Sequence, residues 1–437
     1  MIDGFYKEMY QNYTLADVKE SAERKLFTVF STFAGGGGSS TGYKLAGGDV
    51  RGVLEFQKVG IRTYLQNYPK TKFFCKDIRN ITGEQVLRRL GMEPEELDIF
   101  DGSPPCPPFS MSGSKRKGWN KTKTVYGKQQ TNIEDLSFDM ARLVGVVRPK
   151  AIIYENVKGL TMEYAADHFK KITDAFEEHG YQTVSRILNS NDYGVPQGRE
   201  RVFMIGVRDD VLPHGLALNW AFPDPLEDKP TMRDAIWDLQ DNSDNQKEHE
   251  ELLDAMKKQK RWKYLSEMPL DVDKYVEMGR YVYDGTMEEW KENVKKDPEF
   301  EKENPLHHYV NKETGEEKFT SFDTWGKDSD GEDYKIKDWK NNSYVKYSGF
   351  QVRRVPWDKP SHTLTERGLQ IGTCAHLHPG EHRGFTTLEA RRLISLPDDY
   401  HLDGTLDEKL ARIGLMVAPL QMKHLAENVY NEYLRGK

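Results

Sequence analysis

The sequence predicts an α/β fold, a parallel sheet flanked by helices, joined to a smaller and more irregular region. Three observations predict it. Short apolar runs alternate with helical patterns across residues 25–220. A glycine-rich turn, Gly35 to Gly38, follows the first of those runs. Acidic residues then stand where the second and third runs end, at Glu55 and Asp77.

The elements follow in order. "LFTVFSTF" (Leu26 to Phe33) reads as a buried strand, and the glycine turn leads into a helix beginning near Ser39. "VRGVLEF" is a second strand ending at Glu55, and "KFFCKDI" a third ending at Asp77, with Cys75 expected in the core. "LDIFDGSPP" is a fourth strand, running into Pro104-Pro105-Cys106-Pro107-Pro108. Proline fixes φ and lacks the backbone donor, so neither a helix nor a central strand passes through that segment. "LSFDMARLVGVVRP" has helical spacing, "KAIIYENV" is a strand ending at Glu155-Asn156, and "DAFEEHGYQTVSRILN" and "RERVFMIGVR" continue the pattern. Near the end, Thr386-Thr387-Leu388-Glu389 offers a capping box before "ARRLISL", and "LQMKHLAENVYNEYL" reads as an amphipathic closing helix. Between about 226 and 345 little long-range periodicity emerges, and the tract is expected to be irregular α+β or loop-rich.

Composition narrows the class. With 37% hydrophobic and 30% charged residues the chain is expected to be soluble. No apolar run approaches the ~20 residues that span a bilayer, and the first 25 residues lack the apolar centre of a signal peptide. A cytoplasmic setting with no membrane partner is therefore expected. Three scattered cysteines (Cys75, Cys106, Cys374) fit neither a disulfide framework nor a paired-cysteine metal site. The "HLHPGEH" cluster (His376, His378, His382) lacks metal-ligand spacing, and no metal is expected.

The net charge of -7 is unevenly spread. Residues 226–345 hold 20 Lys+Arg against 31 Asp+Glu, which leaves the remainder mildly basic. From Pro107 to Ile133 there is no acid at all, while Lys115, Arg116, Lys117, Lys121, Lys123 and Lys128 are positive. Such a run is either a solvated loop or a phosphate-facing surface.

A glycine turn after a first strand suits a nucleotide-like cofactor, because the backbone can approach it closely. Glu55 is placed to take ribose hydroxyls and Asp77 an adenine amino group, although either acid could simply cap the following helix. Cys106, beside the same crevice, can act as a nucleophile where positive charge and backbone donors favour its thiolate. Glu155 can protonate or hydrogen-bond a ring nitrogen. Arg199 and Arg201, two apart at a strand start, share one face; they could equally form a salt-bridged edge.

These pieces, in this order, resemble the DNA cytosine carbon-5 methyltransferases: "TFAGGGGSSTG", "DGSPPCPPFSMSG", "ENVKGL", "DYGVPQGRERVFMIG", "KPSHTLT" and "TTLEARRLISLPDDY". The resemblance covers roughly Phe27 to Arg208 and Pro360 to Val429. It implies a Rossmann-like S-adenosylmethionine-dependent domain over 1–222 and 408–437, and a target-recognition domain with its hinge over 223–407. It implies a monomer acting on double-stranded DNA, with a cognate restriction endonuclease as a candidate partner. The implied reaction flips a cytosine out of the duplex, adds Cys106 to ring carbon 6 and methylates carbon 5. Glu155 would engage ring nitrogen 3 and the exocyclic amine, and Arg201, with Arg199 in support, the carbonyl oxygen. Phe33, Gly35, Gly37, Gly38, Glu55, Asp77 and Pro105 match cofactor positions, with Phe56 and Ile78 packing on the adenine. Residues Phe109 to about Ile133 match the loop that closes over DNA, with Ser110, Ser112, Lys115, Arg116 and Lys117 facing it.

One departure stands out. The family's Gly-Asn-Xaa-Val is Gly414-Leu415-Met416-Val417 here, at a position that touches the cofactor region in the family. Two other readings follow: methyl transfer to cytosine in RNA, opposed by the long recognition tract, and a DNA-binding relative with impaired turnover, suggested by Leu415.

Overall fold

The computed structural model describes residues 12–105, 135–212, 218–240, 243–259, 357–366, 368–369 and 377–436, with short strands at 123–125, 128–130, 307–310 and 317–320 and a few isolated positions. Seven strands form the main sheet: β1 (Phe27–Thr32), β2 (Gly48–Glu55), β3 (Lys72–Cys75), β4 (Ile99–Gly102), β5 (Ala151–Val157), β6 (Tyr181–Asn189) and β7 (Glu200–Arg208). Their order is β3-β2-β1-β4-β5-β7-β6. The first five strands are parallel.

β1 and β5 are apolar on both faces and fully buried over Val29–Phe30 and Ala151–Tyr154, as expected of strands covered by helices on either side. Phe30, Phe100, Met140, Val144, Ile152 and Met204 belong to the core cluster. Phe30 meets Phe74 and Phe100 edge-on at 5.5 and 5.3 Å. The covering helices are α1 (Leu15–Ala22), α2 (Gly38–Leu45), α3 (Lys58–Asn67), α4 (Gly83–Leu90), α5 (Leu136–Val147) and α6 (Ala166–Glu177). Local chemistry sets their ends. Thr82 and Gln85 form a capping box at the start of α4, and Gly91 ends it in the left-handed region at φ +69°.

Two expectations are corrected. β7 does not continue the parallel pattern: it runs antiparallel to both β5 and β6. Only residues 190–199 join β6 to β7, fewer than the dozen or more that a parallel crossover needs. Cys75 is exposed rather than in the core. β3 is an edge strand in which Phe74 turns inward, so its neighbour Cys75 must turn outward.

The chain divides into two compact units. The first comprises Met1–Pro230, Leu364–Gly368 and Ala390–Lys437; the second comprises Thr231–Thr363 and Leu369–Glu389. The first contains the sheet, closed by α10 (Leu406–Leu415) and α11 (Pro419–Val429), which follow α7 (Met232–Ile236), α8 (Ser243–Lys257) and α9 (Thr387–Leu393) along the chain. α11 packs against α2, and Met422 fills the space beside Gly42. The capping box expected ahead of "ARRLISL" is present: the Thr386 amide donates to Glu389 at 2.9 Å and the Glu389 amide to Thr386 Oγ1 at 3.2 Å.

In the second unit, a polar cluster is buried around Glu389 and Arg383, each 1% exposed. Arg383 is bidentate to Glu389 at 2.7 and 2.8 Å and also reaches Glu381. His378 packs edge-on against Trp357 at 5.1 Å, with Glu381 and Glu389 each 3.8 Å from its ring nitrogens. Among the described residues no group of side chains could hold a metal ion, and no helix is long and apolar enough to cross a membrane.

Candidate active site

The carboxyl ends of β1 to β4 open into one cleft. It lies where strand order reverses between β1 and β4, the place at which open α/β sheets bind ligands. Phe33, Glu55, Phe56, Asp77, Ile78 and Pro105, all expected from sequence, line it.

The glycine turn is held from several sides. Gly35 and Gly37 have φ of +52° and +100°, a region that disfavours side chains. A Cβ on Gly38 would come within 2.3 Å of the Val417 carbonyl oxygen, so the 414–417 segment packs directly against the turn. The Tyr400 hydroxyl donates to the Gly36 carbonyl.

Glu55 is 7% exposed. Its carboxylate accepts the backbone N–H groups of Gly35, Phe56 and Gln57 at 2.8, 2.7 and 2.7 Å. Burial still moves its pKa above the ordinary carboxylate value, against the pull of those three amides and of Arg412. A carboxylate offers about four acceptor positions, so one remains for a ligand hydroxyl. Asp77 both lines the cleft and caps the short helix Ile78–Asn80 through the Arg79 amide. The Arg79 side chain, bonded to it at 2.9 and 2.6 Å, holds its pKa below the ordinary value. The capping role weighed from sequence therefore coexists with the cleft position.

Glu155 stands two residues before the end of β5, 8% exposed, with Arg201 Nε 3.2 Å from its carboxylate. Arg201 also donates to the Glu200 carbonyl at 2.7 Å. Arg199 is placed differently. It is 3% exposed, and its guanidinium donates to the carbonyls of Leu364 and Gly414 at 3.2 and 3.0 Å. Burial, and then the charge of Arg201, lower its pKa to about 9. The shared face of Arg199 and Arg201 is consistent with the exposed Glu200 between them, but Arg199 is committed to joining the 364 segment to the end of α10.

Sequence reasoning passed over two positioning residues. Asn156 stands in the sequence only as part of a strand end; its amide donates to Pro104 O at 3.1 Å and ties the end of β5 to the proline loop. Gln197, completely buried, donates to Leu393 O and accepts from the Leu364 amide. The alternation Gln-Gly-Arg-Glu-Arg was the only signal for it. Leu415 lines the cleft and is 37% exposed, an apolar surface in the wall of a small-molecule site. Cys106, Ser110, Ser112, Lys115, Arg116 and Lys117, and most of the acidic tract, lie outside the described residues.

The cleft residues fit a nucleoside-bearing cofactor: an open acceptor position on Glu55, the Asp77 carboxylate, and apolar walls at Phe56 and Ile78. Comparison with known proteins agrees. The model of the family described as C-5 cytosine-specific DNA methylase matches residues 27–431. The chain is 27% identical over 419 residues to the Type II methyltransferase M.Sau96I of Staphylococcus aureus, covering 94% of this chain and 78% of that protein. It is 33% identical over 211 residues to M.XorII of Xanthomonas oryzae pv. oryzae, covering 48% of this chain and 45% of that one. It is 36% identical over 217 residues to M.FnuDI of Fusobacterium nucleatum, covering 49% and 56%. In the latter two the chain spans about half the relative's own length. Among solved structures, the fold is shared with a candidate DNA modification methyltransferase encoded within an E. coli prophage, at TM-score 0.55 and 19% identity over 93% of this chain and 99% of that one. It is also shared with Spodoptera frugiperda DNMT2, at TM-score 0.52 and 15% identity over 92% and 99%.

Proposed function

The chain belongs to the C-5 cytosine-specific DNA methylase family, and on that premise we propose that it transfers a methyl group from S-adenosylmethionine to carbon 5 of a cytosine flipped out of duplex DNA. The observation that carries this reading is the Glu155–Arg201 pair near the carboxyl end of β5, 3.2 Å apart and largely screened from solvent. A flipped base costs a few kcal/mol of stacking and leaves its polar edge needing partners. Glu155 would hold ring nitrogen 3 and the exocyclic amine, and Arg201 the carbonyl oxygen where negative charge gathers. Cys106 would add its thiolate to carbon 6. The bond to Cys106 breaks again when carbon 5 gives up its proton. Phe33, Glu55, Phe56, Asp77, Ile78 and Pro105 would hold S-adenosylmethionine, which when bound supplies an electrophilic methyl group. Arg199 would act by holding the Leu364 and Gly414 segments in place.

The second unit, with the acidic tract, would read the target sequence. The run around Lys115 to Lys117 would meet phosphates, giving salt-dependent binding. Cytoplasmic action as a monomer, and a cognate restriction endonuclease, belong to the same proposal.

Incubation with labelled S-adenosylmethionine and either duplex DNA or tRNA tests the substrate. Label is expected on DNA carbon 5, at positions that bisulfite mapping resolves into one sequence; label confined to RNA rejects this reading. The impaired-turnover reading is favoured by one observation, the apolar Leu415 in the cleft wall. If that side chain packs on the cofactor, Leu415→Ala weakens S-adenosylmethionine binding by about fivefold, the worth of roughly 1 kcal/mol of apolar contact. Titration calorimetry measures it, and an unchanged affinity removes Leu415 from the site.

A further inference from the structure

Asp101 has no part in the chemistry above, yet it is a carboxylate buried to 2% exposure beneath the cleft. It stands one residue from the end of β4, directly opposite Ser31 of β1. Its Oδ2 accepts the hydroxyls of Ser31 at 2.5 Å and Ser39 at 3.0 Å, and its Oδ1 that of Tyr43 at 3.0 Å. Ser31 lies just before the glycine turn, and Ser39 and Tyr43 lie in the helix just after it. Both ends of the turn are thus bound to one side chain, which also begins the Gly102-Ser103-Pro104-Pro105 run into the cysteine loop.

We infer that Asp101 is a positioning residue for the cofactor turn: its ionised carboxylate gathers Ser31, Ser39 and Tyr43 and so fixes how the turn leaves β1 and enters α2. The inference rests on reading the cleft as an S-adenosylmethionine site. Only the ionised form can accept all three donors without itself donating; a protonated carboxyl must place a hydrogen among them, and one bond is lost. Tyr43 remains a donor throughout, since burial and then the charge of Asp101 hold its pKa well above the ordinary tyrosine value. The titratable groups that face Asp101 are Tyr43 from α2, Glu155 from β5 and Tyr64 from α3. Burial pushes its pKa up to about 6; the three hydroxyls oppose that rise and Glu155 adds to it. Protonation therefore falls within an accessible range.

The test is S-adenosylmethionine affinity by titration calorimetry between pH 5 and 8, for the wild type, Asp101→Asn and Tyr43→Phe. In the wild type, affinity is expected to weaken by about fivefold as pH falls through about 6, the equivalent of one net hydrogen bond. Asp101→Asn, which cannot titrate or accept three donors, should be about fivefold weaker at pH 8 and flat below it. Tyr43→Phe keeps the ring that fills the core but removes a hydrogen bond that favours the charged form, so its midpoint should move to higher pH. A pH step that survives unchanged in Asp101→Asn belongs to another acid, such as Glu55, and overturns the inference. If Asp101→Asn does not fold, an unshifted midpoint in Tyr43→Phe overturns it equally. A wild type that binds S-adenosylmethionine with no pH step refutes the role of Asp101 alone; a wild type that binds none at any pH refutes the reading of the cleft as well.

Discussion

Glu155→Gln is expected to slow methyl transfer by roughly 10²–10⁴-fold, the usual worth of a positioned general acid or base, with S-adenosylmethionine affinity unchanged. The geometry explains why the two effects separate. Glu155 lies near the end of β5, outside the set of residues that line the cofactor cleft, and its carboxylate is paired with Arg201. Glutamine has nearly the same shape and can still accept at its oxygen. It cannot supply a proton to ring nitrogen 3, and its amide presents donors toward Arg201 where the carboxylate presented acceptors. Single-turnover rates under saturating cofactor, set beside calorimetric affinities, check the split. A variant that loses affinity while keeping its rate would remove Glu155 from the chemistry. Asn156 provides a contrast, because its bond to Pro104 holds the described end of the segment that leads toward Cys106 in the sequence.

The largest effect on stability is expected in the second unit. Glu389→Gln should destabilise it by about 3–5 kcal/mol, because it leaves the Arg383 guanidinium buried with its bidentate partner gone. The acidity of Glu389 shows the same balance: burial would raise its pKa, but Arg383 and then His378 outweigh it and hold the group at about 2. A depressed folded-state pKa contributes stability that is fully present above the unfolded value of about 4.5 and lost as pH falls toward 2. The wild type should therefore lose about 3 kcal/mol over that window, and Glu389→Gln should lack this loss. Urea unfolding at pH 7 and pH 3 measures both effects, about 2 kcal/mol of the acid loss falling by pH 3. Replacing the pair together, Arg383→Met with Glu389→Leu, should recover much of the deficit, since no buried charge is then left alone.

Much of the site was legible before the fold. Glu55 and Asp77 were placed in the cleft because they stand at strand ends, and Pro105 through the resemblance of its segment to the family's motif. Arg201 was legible from its spacing with Arg199. Arg199, expected to support Arg201, has its guanidinium bonded to the carbonyls of Leu364 and Gly414, which no local pattern could foretell. Cys75 was misplaced because "KFFCKDI" does not say that its strand lies at the sheet edge. The antiparallel course of β7 was hidden because apolar runs carry no direction.

What the sequence by itself determined is local and periodic: which segments are strands and helices, which acids stand at strand ends, and which residues share a face. These depend on neighbours within a few positions. The tertiary structure alone decided which of those residues act through one another. The tie from Asn156 to Pro104 crosses 52 positions and that from Arg199 to Gly414 crosses 215, while Asp101 meets the two ends of the glycine turn 70, 62 and 58 positions before it. Partners so distant are set by the order in which strands enter the sheet, and no local pattern of side chains encodes that order.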